Sequence, residues 1–185
     1  MTERMNPRNV LILPGWQGSS LGHWQSRWAR AYGYARVEQH DWMRPLRGDW
    51  ISRLEDVLFS CDEPAVLVAH SLGCVNVAAW ASRSQNLHRV KAALLVAPPD
   101  VESHEMRQRL TGWAPIPLQP LPFKTVLLAS SDDPYCTPER ARHFAAAWNA
   151  DFVDAGPRGH LNGESGLGDW PLAYEQLLQL IRLTP

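Results

Sequence analysis

The stretch Ala65-Val66-Leu67-Val68-Ala69-His70-Ser71-Leu72-Gly73-Cys74-Val75-Asn76-Val77-Ala78-Ala79-Trp80-Ala81 decides the fold. Its first five residues are apolar, and the run is short and β-branched enough for a strand buried on both faces of a parallel sheet. Cys74 to Ala81 is alanine-rich and apolar on every side, which predicts a buried helix. Between them, Ala69-His70-Ser71-Leu72-Gly73 must turn sharply from strand to helix. The small residues Ala69 and Gly73, two before and two after Ser71, permit that turn. Ala69 is a mild departure, since glycine is usual there and the turn must tolerate a methyl group. A strand–turn–helix of this kind exposes the Ser71 hydroxyl at a helix N-terminus. Backbone N–H groups and the helix dipole favour a developing anion there. Taken alone the pattern is loose, and a serine that only caps a helix would satisfy it.

Outward from this stretch, the chain of 185 residues fits a single domain over 1–185 with a sizeable core. At 45% hydrophobic residues it is not a disordered protein. A net charge of −1, with Lys and Arg scattered, makes no electrostatic case for nucleic acid or an anionic membrane. The longest apolar runs are strand-sized, so no membrane span is expected. Met1 to Arg8 carry no signal-peptide core, and a cytoplasmic location is expected. Cys61, Cys74 and Cys136 lie far apart, with no Cys-x-x-Cys. They give neither a disulfide framework nor a zinc spacing, and read as small buried hydrophobes. No metal and no cofactor are expected, because no phosphate loop, metal cluster or dinucleotide fingerprint is present.

Six short apolar runs predict strands: Val10–Leu13, Ala35–Gln39, Ala65–Ala69, Val90–Ala97, Lys124–Ser130 and Asp151–Val153. Helical patterns alternate with them, at about Leu21–Tyr32, Leu46–Phe59, Cys74–Arg83, Thr137–Trp148 and Trp170–Leu183. Thr137 is the expected N-cap of the fourth, with Pro138 at its first position. Only Pro98–Pro122 breaks the rhythm. It is proline-rich, and only His104–Leu110 looks helical. Alternation of this kind means a parallel sheet with both faces covered. With right-handed crossovers the natural order is 2-1-3-4-5, extended by a sixth strand. In that order the first and third strands are neighbours whose connections leave on opposite faces. The loop Pro14–Ser20 is thereby brought beside Ser71, at the carboxyl ends where ligands bind.

A nucleophilic serine needs a base, a carboxylate that orients the base, and an anion site. Loops at the carboxyl ends of strands must supply them. Asp132 and Asp133 follow the fifth strand, and Gly159-His160 follows the sixth. The order Ser, Asp, His is the one used on α/β-hydrolases. The plain alternatives are a turn role for both aspartates and a surface place for His160. His70 is too close to Ser71 in the chain to face it. His40, His88, His104 and His143 read as surface or structural, and His23, at a helix start near the site, is the one to watch. The anion site would use the backbone N–H groups of Leu72 and Trp16, with Gln17 as the fallback.

Leu13-Pro14-Gly15-Trp16, Ala69-His70-Ser71-Leu72-Gly73, Ser131-Asp132-Asp133-Pro134 and Gly159-His160 together resemble the small single-domain serine hydrolases typified by retinoblastoma-binding protein 9. The resemblance spans nearly the whole chain. It implies a three-layer α/β-hydrolase fold in minimal form, with about six parallel strands in order 2-1-3-4-5-6 and no large cap domain. It implies hydrolysis of esters, or amides in some members. By motif the nucleophile falls on Ser71, the acid on Asp133 and the base on His160. The mammalian member has a Leu-x-Cys-x-Glu pocket-protein motif before the nucleophile strand. Here the matching stretch is Phe59-Ser60-Cys61-Asp62-Glu63, so a retinoblastoma-type partner is not carried over. Phe59 and Cys61 read instead as a helix end packing under the sheet.

The expected partner is a small-molecule acyl substrate. Pro98–Pro122 is the candidate lid over it, with Trp113 as an apolar wall and Trp16 and Gln17 in contact with the substrate. Trp24 would add to that wall. The expected cleft is apolar and of modest size.

Overall fold

A computed structural model describes residues 6–184 of the chain. Six parallel strands form one sheet in the order β2-β1-β3-β4-β5-β6. They are β1 (Val10–Leu13), β2 (Ala35–Arg36), β3 (Ala65–His70), β4 (Val90–Val96), β5 (Lys124–Ala129) and β6 (Asp151–Asp154). Six helices accompany them: α1 (Trp24–Tyr32), α2 (Arg47–Phe59), α3 (Leu72–Ala81), α4 (His104–Arg109), α5 (Pro138–Ala147) and α6 (Pro171–Leu183). This is a small α/β-hydrolase fold.

Strand side chains alternate between faces, and here the alternation sorts the core into two halves. Leu11, Leu13, Leu67, Ala69, Leu95 and Leu127 share one apolar cluster with the buried residues of α2, α3 and α5. Ile12, Val66, Val68, Leu94 and Leu128 share the other with Trp24 and Trp28 of α1 and Leu177 and Leu180 of α6. Thus α1, after β1, and α3, after β3, lie on opposite faces of adjacent strands. Their loops splay apart at the carboxyl edge and open a crevice between them.

Element ends follow local chemistry. α1 starts at Trp24 rather than near Leu21, because the His23 imidazole is the N-cap: its Nδ1 accepts from Gln25 N at 3.1 Å. Gly33 closes that helix at φ 73. Thr137 caps α5 as expected, accepting from Arg140 N at 3.2 Å. β2 pairs only through Ala35 and Arg36, shorter than the run to Gln39 suggested. Phe59 ends α2 but does not pack under the sheet. It is 54% exposed, with the Arg89 guanidinium over its ring.

The proline-rich segment 98–122 crosses the carboxyl edge and is fastened along its length. Trp113 Nε1 donates to Pro45 O (2.9 Å), and Arg47 Nη1 donates to Pro115 O (3.0 Å). Ile116 N donates to Glu102 Oε1 at 3.0 Å. Trp148 Nε1 donates to Pro117 O (2.8 Å), and Leu121 N donates to Trp148 O (3.1 Å). Glu102 also pairs with Arg140 of α5.

Candidate active site

Ser71 joins β3 to α3 at φ 54, ψ −125, a conformation that non-glycine residues rarely adopt. The sharp reversal brings backbone against backbone. A Cβ at Gly73 would fall 2.5 Å from Leu13 O, and one at Gly15 would fall 2.7 Å from Ser71 Cβ. The glycines on either side of the crevice therefore let β1 and its loop touch the elbow. Ala69 lies within β3 itself, fully buried and ahead of the turn.

Ser71 Oγ lies 2.8 Å from His160 Nε2. On the far side of the ring, His160 Nδ1 lies 3.0 and 2.9 Å from Asp133 Oδ1 and Oδ2. Asp133 also accepts from Tyr135 N at 2.9 Å, and its side chain is 3% exposed. Asp132 turns elsewhere. Its Oδ1 accepts from Ser130 Oγ and from Gly159 N, each at 2.7 Å, and these bonds hold its carboxyl below the usual range. It ties the loop after β5 to the loop bearing His160.

That second loop is clasped from within. Its flanking residues Gly159 and Leu161 both have positive φ, 61 and 51. His70 Nε2 lies 2.9 Å from His160 O, and Trp24 Nε1 donates to Leu161 O at 2.8 Å. Since a carbonyl only accepts, His70 carries its proton on Nε2 and is not the base for Ser71. Burial, and after it the neighbouring His23 and His160, pushes the His70 pKa well below the ordinary imidazole value. Burial likewise lowers His23 to about 4, with His160 and then Arg36 adding to the shift. Both rings are therefore neutral near pH 7.

Trp16 and Leu72 both line the cleft beside Ser71. The N–H groups of Trp16 and Leu72 donate to no group among the described residues. A Cβ on Gly15 would be only 3.2 Å from Leu72 N, so the two donor-bearing backbones adjoin. The Gln17 fallback is excluded, because Gln17 N donates to Trp42 O at 3.0 Å.

The cleft over Ser71 holds about 340 Å³. Its roof comes from the proline-rich segment through Pro99, Met106, Arg109 and Leu110. Trp16 and Gln17 line it too. Trp113 does not, which corrects the expectation of a tryptophan wall. Trp113 is fully buried beneath the segment, where its indole N–H anchors the chain at Pro45. Trp24 is buried too and holds the Leu161 carbonyl. Nor is the cleft apolar throughout, since Ser20, His23, Asn162 and Glu164 also line it. The sequence pointed to His23 but carried no signal for Tyr135, Asn162 or Glu164. Tyr135 stands edge-on to the His160 ring with centroids 4.7 Å apart. Among the described residues no group of three His, Cys, Asp or Glu could hold a metal ion, and no helix is long and apolar enough to cross a membrane.

The sequence matches the serine hydrolase family, that of the retinoblastoma-binding-protein-9-like enzymes, over residues 10–179. The chain belongs to this family. Among solved structures it is similar to a protein described as a YdeN-like hydrolase from Pectobacterium atrosepticum. The identity is 29% and the TM-score 0.83, covering 95% of this chain and 92% of that one. It is also similar to the ydeN gene product of B. subtilis, at 21% identity and TM-score 0.74, covering 94% and 98% of the two chains. The esterase domain of a Rhodothermus marinus protein shares the fold at 17% identity and TM-score 0.62, covering 95% and 89%. No curated protein matches the sequence. As a member of the serine hydrolase family the protein is a hydrolase.

Proposed function

We propose that this serine hydrolase cleaves small acyl esters through a Ser71–His160–Asp133 triad and an acyl-enzyme. One observation carries the reading: the unbroken hydrogen-bonded line from Ser71 Oγ through His160 to a nearly inaccessible Asp133. In the cycle, His160 Nε2 takes the Ser71 proton as Oγ attacks the ester carbonyl. The carbonyl oxygen becomes an oxyanion held by the Trp16 and Leu72 N–H groups, at the N-terminus of α3. Asp133 fixes the ring so that Nδ1 keeps its proton and stabilises the imidazolium. His160 then protonates the departing alcohol, and water, activated by the same imidazole, releases the acid. Amide or thioester cleavage would use the same parts with a different leaving group.

A fluorophosphonate probe tests this directly. The wild-type protein is expected to label and to turn over p-nitrophenyl butyrate, and Ser71→Ala to do neither. Labelling that persists in Ser71→Ala would overturn the assignment. A wild-type protein inert to both reagents would favour a binding role on a hydrolase fold.

A further inference from the structure

The two walls of the cleft differ in chemistry. The roof presents Met106 and Leu110, with the Arg109 guanidinium beside them over the Trp16 ring, while the side of the His160 loop presents His23 and Glu164. That polar wall is continuous: a Cβ on Gly163, in the His160 loop, would meet Ser20 Oγ at 3.1 Å and His23 N at 3.8 Å. Within it His23 is 4% exposed, yet its Nε2 has no hydrogen-bond partner among the described residues. Its tautomer is fixed. Nδ1 accepts from Gln25 N, so the neutral ring bears its proton on Nε2. The ring is also held in place, edge-on to His70 with centroids 4.7 Å apart. Gln25 is itself pinned to Leu13 O and Val68 O at 3.2 and 3.0 Å. A buried N–H without an acceptor is costly, and this one belongs to a residue of the cleft lining, so a ligand hydroxyl that reaches it relieves that cost.

Stereochemistry assigns the walls. Once the ester carbon is bonded to Ser71 Oγ and its oxyanion lies on Trp16 and Leu72, two substituents remain. The leaving oxygen must lie where His160 Nε2 can protonate it. Asn162, Gly163 and Glu164 follow His160 on its own loop, so the leaving group meets the polar wall and the acyl chain goes under the roof.

We propose that the polar wall is a leaving-group subsite for an alcohol bearing further hydroxyls, so that the substrates are short-chain monoesters of polyols. A hydroxyl both donates and accepts. It can take the His23 Nε2–H and give its own proton to the Glu164 carboxylate, which a plain alkyl alcohol cannot do. The reaction balances as hydrolysis. Ser71 Oγ bonds to the acyl carbon, the carbon–oxygen bond to the polyol breaks, and the Ser71 proton passes through His160 to the polyol. Water then replaces Ser71 on the acyl carbon, giving the acid and the free serine. The proposal rests on the triad reading above.

The test compares kcat/KM for glycerol monobutyrate and propyl butyrate, which share an acyl group, with p-nitrophenyl butyrate reporting the triad itself. The glycerol ester is expected to be favoured by at least about tenfold, the combined worth of a neutral hydrogen bond from His23 and a stronger one to the charged Glu164 carboxylate. His23→Phe is expected to erase most of that ratio through KM. Glu164→Leu, on an exposed loop that does not depend on the buried ring, is expected to lower it as well. A ratio near one in the wild type, with p-nitrophenyl butyrate turned over, overturns this inference and leaves the hydrolase reading standing. So does a high ratio that survives Glu164→Leu and a folded His23→Phe. If His23→Phe does not fold, the wild-type ratio and Glu164→Leu decide. Loss of all three activities together with Ser71 labelling overturns the triad reading instead.

Discussion

Asp133 and Asp132 are neighbours in the chain with different duties. The Asp133 carboxylate is sealed against His160 Nδ1, so an amide there would offer a donor where the imidazole N–H needs an acceptor. Asp133→Asn is expected to lower turnover by about 10⁴, the loss seen when the orienting aspartate of a serine protease is so changed. Asp132 accepts two bonds that join two loops, so Asp132→Ala is expected to lower the melting temperature while retaining most turnover. Measuring both quantities on both variants decides the assignment, and a dead Asp132→Ala beside an active Asp133→Asn would reverse it. Sequence favoured the second aspartate, because Pro134 biases the residue before it toward an extended backbone. It could not show that the first reaches Gly159 N, since that contact depends on how two loops 27 residues apart meet. The same scale carries a pH prediction. His23, lowered to about 4, and His70, held well below the ordinary imidazole value by burial, take up protons in the unfolded chain at a higher pH, about 6.5, than in the folded one. Folding stability is therefore complete above pH 6.5 and falls as the pH drops from there toward 4. A melting-temperature series over that window is expected to decline, and His23→Gln to flatten the decline. A flat wild-type curve down to pH 4 would refute the claim.

At the scale of elements, the strand–elbow–helix unit was legible because three constraints coincide: an apolar run, small residues at fixed places, and a helix apolar all round. Its tightest contact was not, because Gly73 meets a carbonyl of β1, some sixty residues away in sequence. A backbone oxygen cannot swing aside as a side chain can. Gly73→Ala is thus expected to cost about 1–3 kcal/mol, the usual range for overpacking, and to shift Ser71 enough to depress turnover. A variant matching the wild type in urea midpoint and rate would show that the elbow yields. The tryptophans were the hardest elements to place. Nine are present, and Trp24, Trp28, Trp50, Trp80, Trp113 and Trp148 are fully buried. Most give their indole N–H to a carbonyl of an irregular stretch, as Trp24, Trp28, Trp113 and Trp148 do. An indole has an apolar body and one donor, which suits it to pin loops that lack a ladder of their own. In the proline-rich segment no periodicity tells which way such a ring points, so a wall and an anchor read alike.

For the whole molecule, topology was readable from the alternation of strands and helices, and it places the groups proposed for catalysis on one edge of the sheet. What alternation does not encode is the stiffness of the segment that roofs the cleft. Its prolines, the buried Trp113 and bonds to α2 and α5 make it a fixed beam rather than a flap. The space beneath is about 340 Å³, near the lower end for small-molecule sites. Chain-length dependence follows. An acyl chain gains from each methylene it buries against Met106 and Leu110 until the space is full, and the next must displace the roof or stay in water. One methylene in an apolar pocket changes kcat/KM by roughly 10-fold or more. Over a p-nitrophenyl ester series, kcat/KM is expected to rise from acetate to a maximum at about butyrate to hexanoate, then fall for longer chains. Met106→Ala removes a side chain from the roof without touching its anchors, and is expected to move the maximum to longer chains. With no flap to open, rates are expected to pass smoothly through the solubility limit of the ester. A steady climb to palmitate, or a jump in rate when the substrate forms a second phase, would mean that the roof moves.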